Sequence, residues 1–141
     1  MFIKCLIENK PARQWSRQPS DYAMSNHIFD AGHRFYNSAK AVSAYSAGGG
    51  LQQPEVAIFE ALKPHLASMD MLALGVGAGR TTPCFAPVVR RYVGADFSPN
   101  MIAECSRKFP HHEFILADAS ELTMFPDASF DFILFSFESI D

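Results

Sequence analysis

Cysteine is scarce in this 141-residue chain, three in all, and Cys5, Cys84 and Cys105 stand far apart. An odd, dispersed set excludes a disulfide framework and any C-x-x-C metal or redox motif, so a reducing cytoplasm is the predicted compartment. Charge is thin as well: 12 Lys and Arg against 15 Asp and Glu give a net charge of −3 and a pI near 5.9. Without clustered basic residues there is no electrostatic footprint for a phosphate backbone, which excludes nucleic acid as the expected partner. No apolar run approaches the ~20 residues of a membrane span, and the stretch Phe2 to Ile7, broken by Lys4, is too short for the apolar core of a secretion signal. A soluble protein with no membrane partner is expected. Tryptophan occurs once, Trp15, within a Met1 to Ser20 stretch that mixes Pro11, Pro19 and charges without periodicity and reads as a loosely structured arm. His27, His33 and His65 are isolated, and adjacent His111 and His112 would point to opposite faces of a strand, so no metal site is expected.

What is present is apolar material, 48% of the residues, enough for the core of one globular domain. Phe29, Phe35, Tyr36, Ala39, Val42 and Tyr45 are spaced as a helix face that Gly48-Gly49-Gly50 would end. Pro54 opens a second helix bearing Val56, Phe59, Leu62 and Leu66 about a turn apart. A strand over Met69 to Leu74 follows, then a helix capped by Thr81 or Thr82 ahead of Pro83, a strand over Arg91 to Asp96, and a helix over Asn100 to Lys108 announced by Ser98-Pro99. Strands are predicted again from His111 through Ala117 and from Phe130 to Phe137. Strands alternating with helices predict βαβ units, a mainly parallel sheet and an α/β three-layer sandwich. Residues 1–52 would form an arm and helix, and 53–141 the α/β domain.

The sharpest signal is Met71-Leu72-Ala73-Leu74-Gly75-Val76-Gly77-Ala78-Gly79-Arg80, an apolar run that breaks into three alternating glycines. Glycine belongs where the backbone needs positive φ or a ligand lies against the main chain. The dinucleotide fingerprint G-x-G-x-x-G would need glycine where Arg80 stands, which argues against a nicotinamide-dependent oxidoreductase. Asp96 ends the next strand, where a carboxylate accepts hydrogen bonds from ribose hydroxyls, and Asp118 ends the one after. Taken alone, either aspartate also suits a turn or helix cap.

Leu74 to Thr82, Tyr92 to Pro99, Leu116-Ala117-Asp118-Ala119 and Ser129-Phe130-Asp131-Phe132-Ile133-Leu134 resemble, in order, four motifs of the class I S-adenosylmethionine-dependent methyltransferases. The resemblance covers about Gln53 to Asp141 and implies a Rossmann-like fold with strand order 3-2-1-4, the first part of the family's 3-2-1-4-5-7-6. It implies S-adenosyl-L-methionine as cofactor, held at Gly75, Val76, Gly77, Gly79 and Arg80 on the loop and at Asp96 and Phe97 after the second strand. Asp118 and Ala119 would meet the adenine, Ser136 would face the cofactor after the fourth strand, and Asp131 would be structural. The N-terminal helix would serve as part of a lid. The N-P-P-[YF] run of nucleic-acid amino methylases is missing after the fourth strand, so a small-molecule methyl acceptor is the expected substrate. Glu138 is the candidate general base there.

Two departures stand out. The family's acidic residue, which helps hold the amino end of the cofactor, is replaced by Ala73, and Asp70, three residues earlier on the strand, faces the other way. The chain also stops soon after the fourth strand, which would leave Phe132-Ile133-Leu134-Phe135 at an open edge and predicts self-association or a fragment of a longer product. Both departures suit an alternative, a non-catalytic methyltransferase-like domain that binds nucleotide or a partner chain.

Overall fold

The computed structural model describes residues 34–136. The arm, Trp15, Phe29, Cys5, His27, His33 and Glu138 lie outside the described residues.

Four strands, β1 (Asp70–Leu74), β2 (Arg91–Asp96), β3 (Glu113–Leu116) and β4 (Phe132–Phe135), form one parallel sheet in the order β3-β2-β1-β4. Helices α1 (Ala39–Ala47) and α2 (Gln53–Leu62) and a 3-10 turn (Leu66–Ser68) precede the sheet, while α3 (Thr82–Phe85) and α4 (Pro99–Lys108) cross between its strands. The central strands are buried along nearly their whole length, as expected of a parallel sheet covered on both faces.

Alternation along β1 sends Met71 and Ala73 to one face, where they pack with Leu62, Phe85, Cys105, Phe132 and Leu134. Leu72 goes to the other face with Val93 and Ala95, beneath Leu122, Phe125 and Phe130. Among the described residues, the helices that contact the sheet core lie on the first face. Right-handed crossovers explain this: β1 to β2 to β3 moves one way across the sheet, and only the return to β4 crosses to the second face. That return, residues 117–131, has no helix, so the third layer is an irregular strap.

Several local expectations are corrected. The helix expected from Phe29 to Tyr45 is interrupted: residues 34–36 are helical, and α1 restarts at Ala39 because Ser38 caps it with its Oγ accepting from the N–H of Ala41 at 3.1 Å, while Phe35 ahead of the cap is 56% exposed. On α2 the inward stripe is Glu55, Ile58, Phe59 and Leu62, and Val56 faces solvent. Neither threonine caps α3 with its side chain: Thr81 makes no cap bond, and the Thr82 hydroxyl pairs with the Tyr92 hydroxyl at 2.9 Å. His111 and His112 sit in the turn before β3 rather than on it, with the His112 ring edge-on to Tyr92.

β4 is the edge of the sheet among the described residues, yet its side chains are not an open apolar row. Phe132 and Leu134 are 1% exposed, the first against the Phe85 ring, and Ile133 packs on the second face.

Candidate functional site

β1 delivers its last residue into the glycine loop, and Gly75, Gly77 and Gly79 take φ of 62°, 55° and 82°. All three occupy the left-handed region that a side chain resists. Gly79 is held by packing, since an added Cβ would come 2.5 Å from the Phe109 ring and 3.2 Å from Cys105 Sγ. Gly77 differs: an added Cβ would meet only Tyr45, at 3.8 Å, so its outer side is open. From below, the Cys105 thiol donates to the Gly77 carbonyl at 3.0 Å and Lys108 Nζ to the Ala78 carbonyl at 2.9 Å. These two bonds anchor the loop's carbonyls to α4.

Asp96 closes β2 beside that loop, only 7% exposed. Its Oδ2 accepts from the Gly77 N–H and its Oδ1 from the Ser98 N–H, each at 2.9 Å. Burial pushes its carboxyl above the usual value, against the pull of backbone donors from Ser98, Gly77 and Phe97. A carboxylate has about four acceptor positions. Three are occupied by the backbone, so Asp96 fixes the loop and keeps capacity for a ligand hydroxyl.

A cleft opens at the carboxyl ends of β1, β2 and β4, lined by Gly75, Gly77, Asp96, Phe97, Met101 and Ser136 with Tyr36 and Tyr45. A second recess abuts it at Val76, Ala78, Arg80 and Thr81, sharing Tyr45, Gly75, Gly77 and Ser136. This is the reversal point of strand order, between β1 and β4, where open parallel sheets place their ligands. Tyr36 stacks edge-on to Phe97 at 5.8 Å and lies 5.9 Å from Tyr45, bringing the N-terminal segment and α1 to the cleft wall.

Of the residues read from sequence, Gly75, Val76, Gly77, Arg80, Asp96, Phe97 and Ser136 line these recesses, while Gly79 supports them from within the loop. Asp118 and Ala119 do not line them. Asp118 Oδ1 accepts from the Ser120 N–H at 2.8 Å and the Ser120 hydroxyl at 2.7 Å, a turn-forming arrangement, and Ala119 is exposed. Asp131 is structural: its carboxylate takes the Asp70 N–H and, with Asp70, an ion pair to Arg90 at the opposite end of the sheet.

The residue that sequence reasoning missed is Glu55, whose side chain is fully buried. Arg80 grips it with both Nη atoms at 2.7 Å, and the Ser136 hydroxyl donates to it. Burial pulls its carboxyl upward, but hydrogen bonds from Arg80, Ser136 and the Gln52 N–H outweigh that and hold it below the ordinary value. The signal available in sequence was Gln52-x-x-Glu55 at a helix start: Glu55 Oε2 takes the Gln52 N–H at 2.7 Å, half of a capping box. Among the described residues, no three His, Cys, Asp or Glu side chains gather as a metal site, and no helix is long and apolar enough to cross a membrane.

Residues 72–139 match the family model for a methyltransferase domain. Through this stretch the chain is similar to the class I S-adenosylmethionine-dependent methyltransferases. Among solved structures, the methyltransferase fold here is similar to YcgJ from Bacillus subtilis, with 28% identity and a TM-score of 0.51 over 58% of this chain and 37% of that one. It is also similar to DhpI, solved with S-adenosylhomocysteine, at 26% identity and a TM-score of 0.56 over 77% of this chain and 53% of DhpI. Magnesium protoporphyrin IX methyltransferase from Synechocystis PCC 6803, solved with S-adenosylmethionine, shares the fold at 16% identity and a TM-score of 0.52, covering 66% of this chain and 55% of that one. The chain thus spans between a third and just over half of the length of these structures. No curated protein matches it significantly in sequence.

The residues fit the family's cofactor. The open side of Gly77 leaves room for an adenosyl group against the main chain, Asp96 would offer its remaining acceptor position to a ribose hydroxyl, and Phe97, Met101 and the two tyrosines give apolar walls. Ala73 takes no part, being 2% exposed within the sheet core.

Proposed function

We propose that this chain binds S-adenosylmethionine in the cleft between β1 and β4 and acts as a methyltransferase on a small-molecule acceptor. The observation that carries the reading is the pairing of Gly77 with Asp96: one N–H to carboxylate bond joins an open glycine loop to a buried acid at the reversal point of the sheet. The bound cofactor supplies an electrophilic methyl on a sulfonium, open to in-line attack by an acceptor nucleophile. What the chain contributes is orientation. The anchored loop holds the nucleoside, Asp96 fixes the ribose, and Tyr36, Tyr45 and Phe97 exclude water from one side. Asp118 and Ala119 are proposed to meet the adenine at the exposed end of β3, with Asp118 turning from its Ser120 contact. The net charge of −3 supports a small acceptor over a nucleic acid, and the free Cys84 and Cys105 suit a cytoplasmic setting.

Calorimetric titration with S-adenosylhomocysteine tests this. Saturable binding is expected, weakened at least about tenfold by Asp96→Ala through loss of a charge-assisted contact. Absence of binding at millimolar ligand would remove the enzyme reading. Ala73 favours a second reading, a domain that binds nucleotide without catalysis; binding without methyl transfer to any acceptor in a panel of small amines, alcohols and thiols would select it. Pairing of two copies through the β4 edge is a further proposal, checked by sedimentation.

A further inference from the structure

We propose that Glu55 and Arg80 form a positioning clamp that turns the Ser136 hydroxyl into a fixed acceptor for the cofactor's α-ammonium, the task that Ala73 cannot perform. The inference rests on the cofactor reading above and goes beyond it to the amino-acid end of the ligand.

Hydrogen-bond accounting drives it. Arg80 has four Nη–H directions. Nη1 donates to Glu55 at 2.7 Å and to the Gly50 carbonyl at 2.9 Å; Nη2 donates to Glu55 at 2.7 Å and to Ser136 Oγ at 3.0 Å. Those four are spent inside the protein. Glu55 is equally saturated, because its carboxylate accepts twice from Arg80, once from the Gln52 N–H and once from the Ser136 hydroxyl, matching its roughly four acceptor positions. The Glu55 carboxylate and the Nη donors of Arg80 are thus committed within the protein, although Arg80 lines the recess.

Ser136 is the member with capacity left. A hydroxyl has one proton and two lone pairs. The proton is committed to Glu55 and one lone pair to Arg80, while Ser136 lines both recesses beside Gly75 and Gly77. The hydroxyl cannot rotate to donate toward the cleft without giving up the buried acid. It therefore offers only an acceptor there, suited to an ammonium, which has donors alone. The placement is consistent with register. Leu134 pairs with Ala73 and shares its core cluster, so Ser136, two residues on, returns to the face that Ala73 occupies, one step beyond the strand end. Glu55 reaches the same face from α2. The acceptor missing from the strand is thus supplied by a hydroxyl, held in place by a helix acid that is itself paired with Arg80.

The test is calorimetry on the whole protein with two probes, S-adenosylhomocysteine and 5′-methylthioadenosine, which lacks the amino-acid end. The wild type is expected to prefer the first at least about tenfold. Ser136→Ala and Glu55→Gln should each erase about tenfold of that preference while leaving the affinity for 5′-methylthioadenosine within about twofold, and Ser136→Thr should restore it. Unchanged 5′-methylthioadenosine binding also shows that the variants fold. A preference untouched by Ser136→Ala, or both affinities falling together, overturns the clamp. If the wild type binds both probes equally, the clamp fails while the cofactor reading stands; if it binds neither, both fall.

Discussion

A methyl group added at position 79 has nowhere to go. The residue sits at φ 82° and its new Cβ would press to 2.5 Å from the Phe109 ring, so Gly79→Ala carries both the left-handed penalty and an overpacking penalty. Together these amount to about 2–5 kcal/mol, a large share of a small domain's stability. Gly77→Ala has only the first, about 1–2 kcal/mol, because its Cβ would meet Tyr45 at an ordinary 3.8 Å. The two glycines should therefore separate in experiment. Gly79→Ala is expected to lower the melting temperature by more than Gly77→Ala, whereas Gly77→Ala should lose more S-adenosylhomocysteine affinity per unit of stability, since its methyl points into the cleft. Thermal melts and calorimetry on the same samples check this. Equal ratios of binding loss to stability loss would show that ligand contact and loop geometry are not divided as described. Asp96 belongs to both ledgers, because it receives the Gly77 N–H and faces the cleft.

At the scale of elements, α4 ties the site together. Its cap, Ser98, is fully buried: the Oγ accepts from the Met101 N–H at 3.3 Å and donates to the segment before α1, with Asn37 Oδ1 at 2.7 Å and the Tyr36 carbonyl at 3.2 Å. One hydroxyl thus starts the helix and docks the stretch that carries Tyr36. Ser98→Ala is expected to cost about 1–3 kcal/mol, more than a surface cap, as it also leaves buried partners unpaired. Guanidinium denaturation would measure it; a loss within about 0.5 kcal/mol would mean the Asn37 contact contributes nothing. This helix was legible because Ser98-Pro99 is a local signal, and Met101 and Cys105 repeat at helical spacing. Helix α2 was legible only in outline. Its inward stripe begins with Glu55, and periodicity reads a carboxylate as a solvent face; only Arg80, distant in sequence, makes that acid buriable. The strands were easiest, with β2 read to the residue, since a parallel sheet buried on both faces needs continuous apolar runs. Asp118 shows the opposite limit. Whether a strand-end aspartate forms a turn or waits for a ligand depends on Ser120 and on what lies across the cleft, which no local pattern encodes.

Among the described residues the sheet has one helical face and one face covered by a strap, and the core of the helical face holds a thiol and a phenol. Cys105 and Tyr92 share its core cluster, 0% and 5% exposed. Burial pushes the Cys105 thiol up to about 12 from an ordinary value of 9.0, with Asp96 and Glu104 adding to the rise and Lys108 opposing it. Burial pushes the Tyr92 hydroxyl upward too, partly offset by its bond to Thr82. In the native state both stay protonated at a pH where the unfolded chain has released them. The native state then binds more protons, and the stability of folding falls as pH rises. The window opens near the unfolded thiol value of 9.0 and, for the thiol, closes near 12. Within it each protected group steepens the loss by up to about 1.4 kcal/mol per pH unit. Urea denaturation at pH 8, 9, 10 and 11 should therefore show stability nearly level at first and then declining. Cys105→Ala removes the Gly77 contact and lowers the starting value, but it also removes one titrating group, so its decline above pH 9 should be shallower than that of the wild type. Tyr92→Phe should flatten the curve chiefly above pH 10, where the unfolded phenol ionises. Parallel curves for wild type and Cys105→Ala would mean that the native thiol ionises as freely as the unfolded one. The tie between α4 and the Gly77 carbonyl would then be a contact of the thiolate's surroundings, not a protected S–H donor.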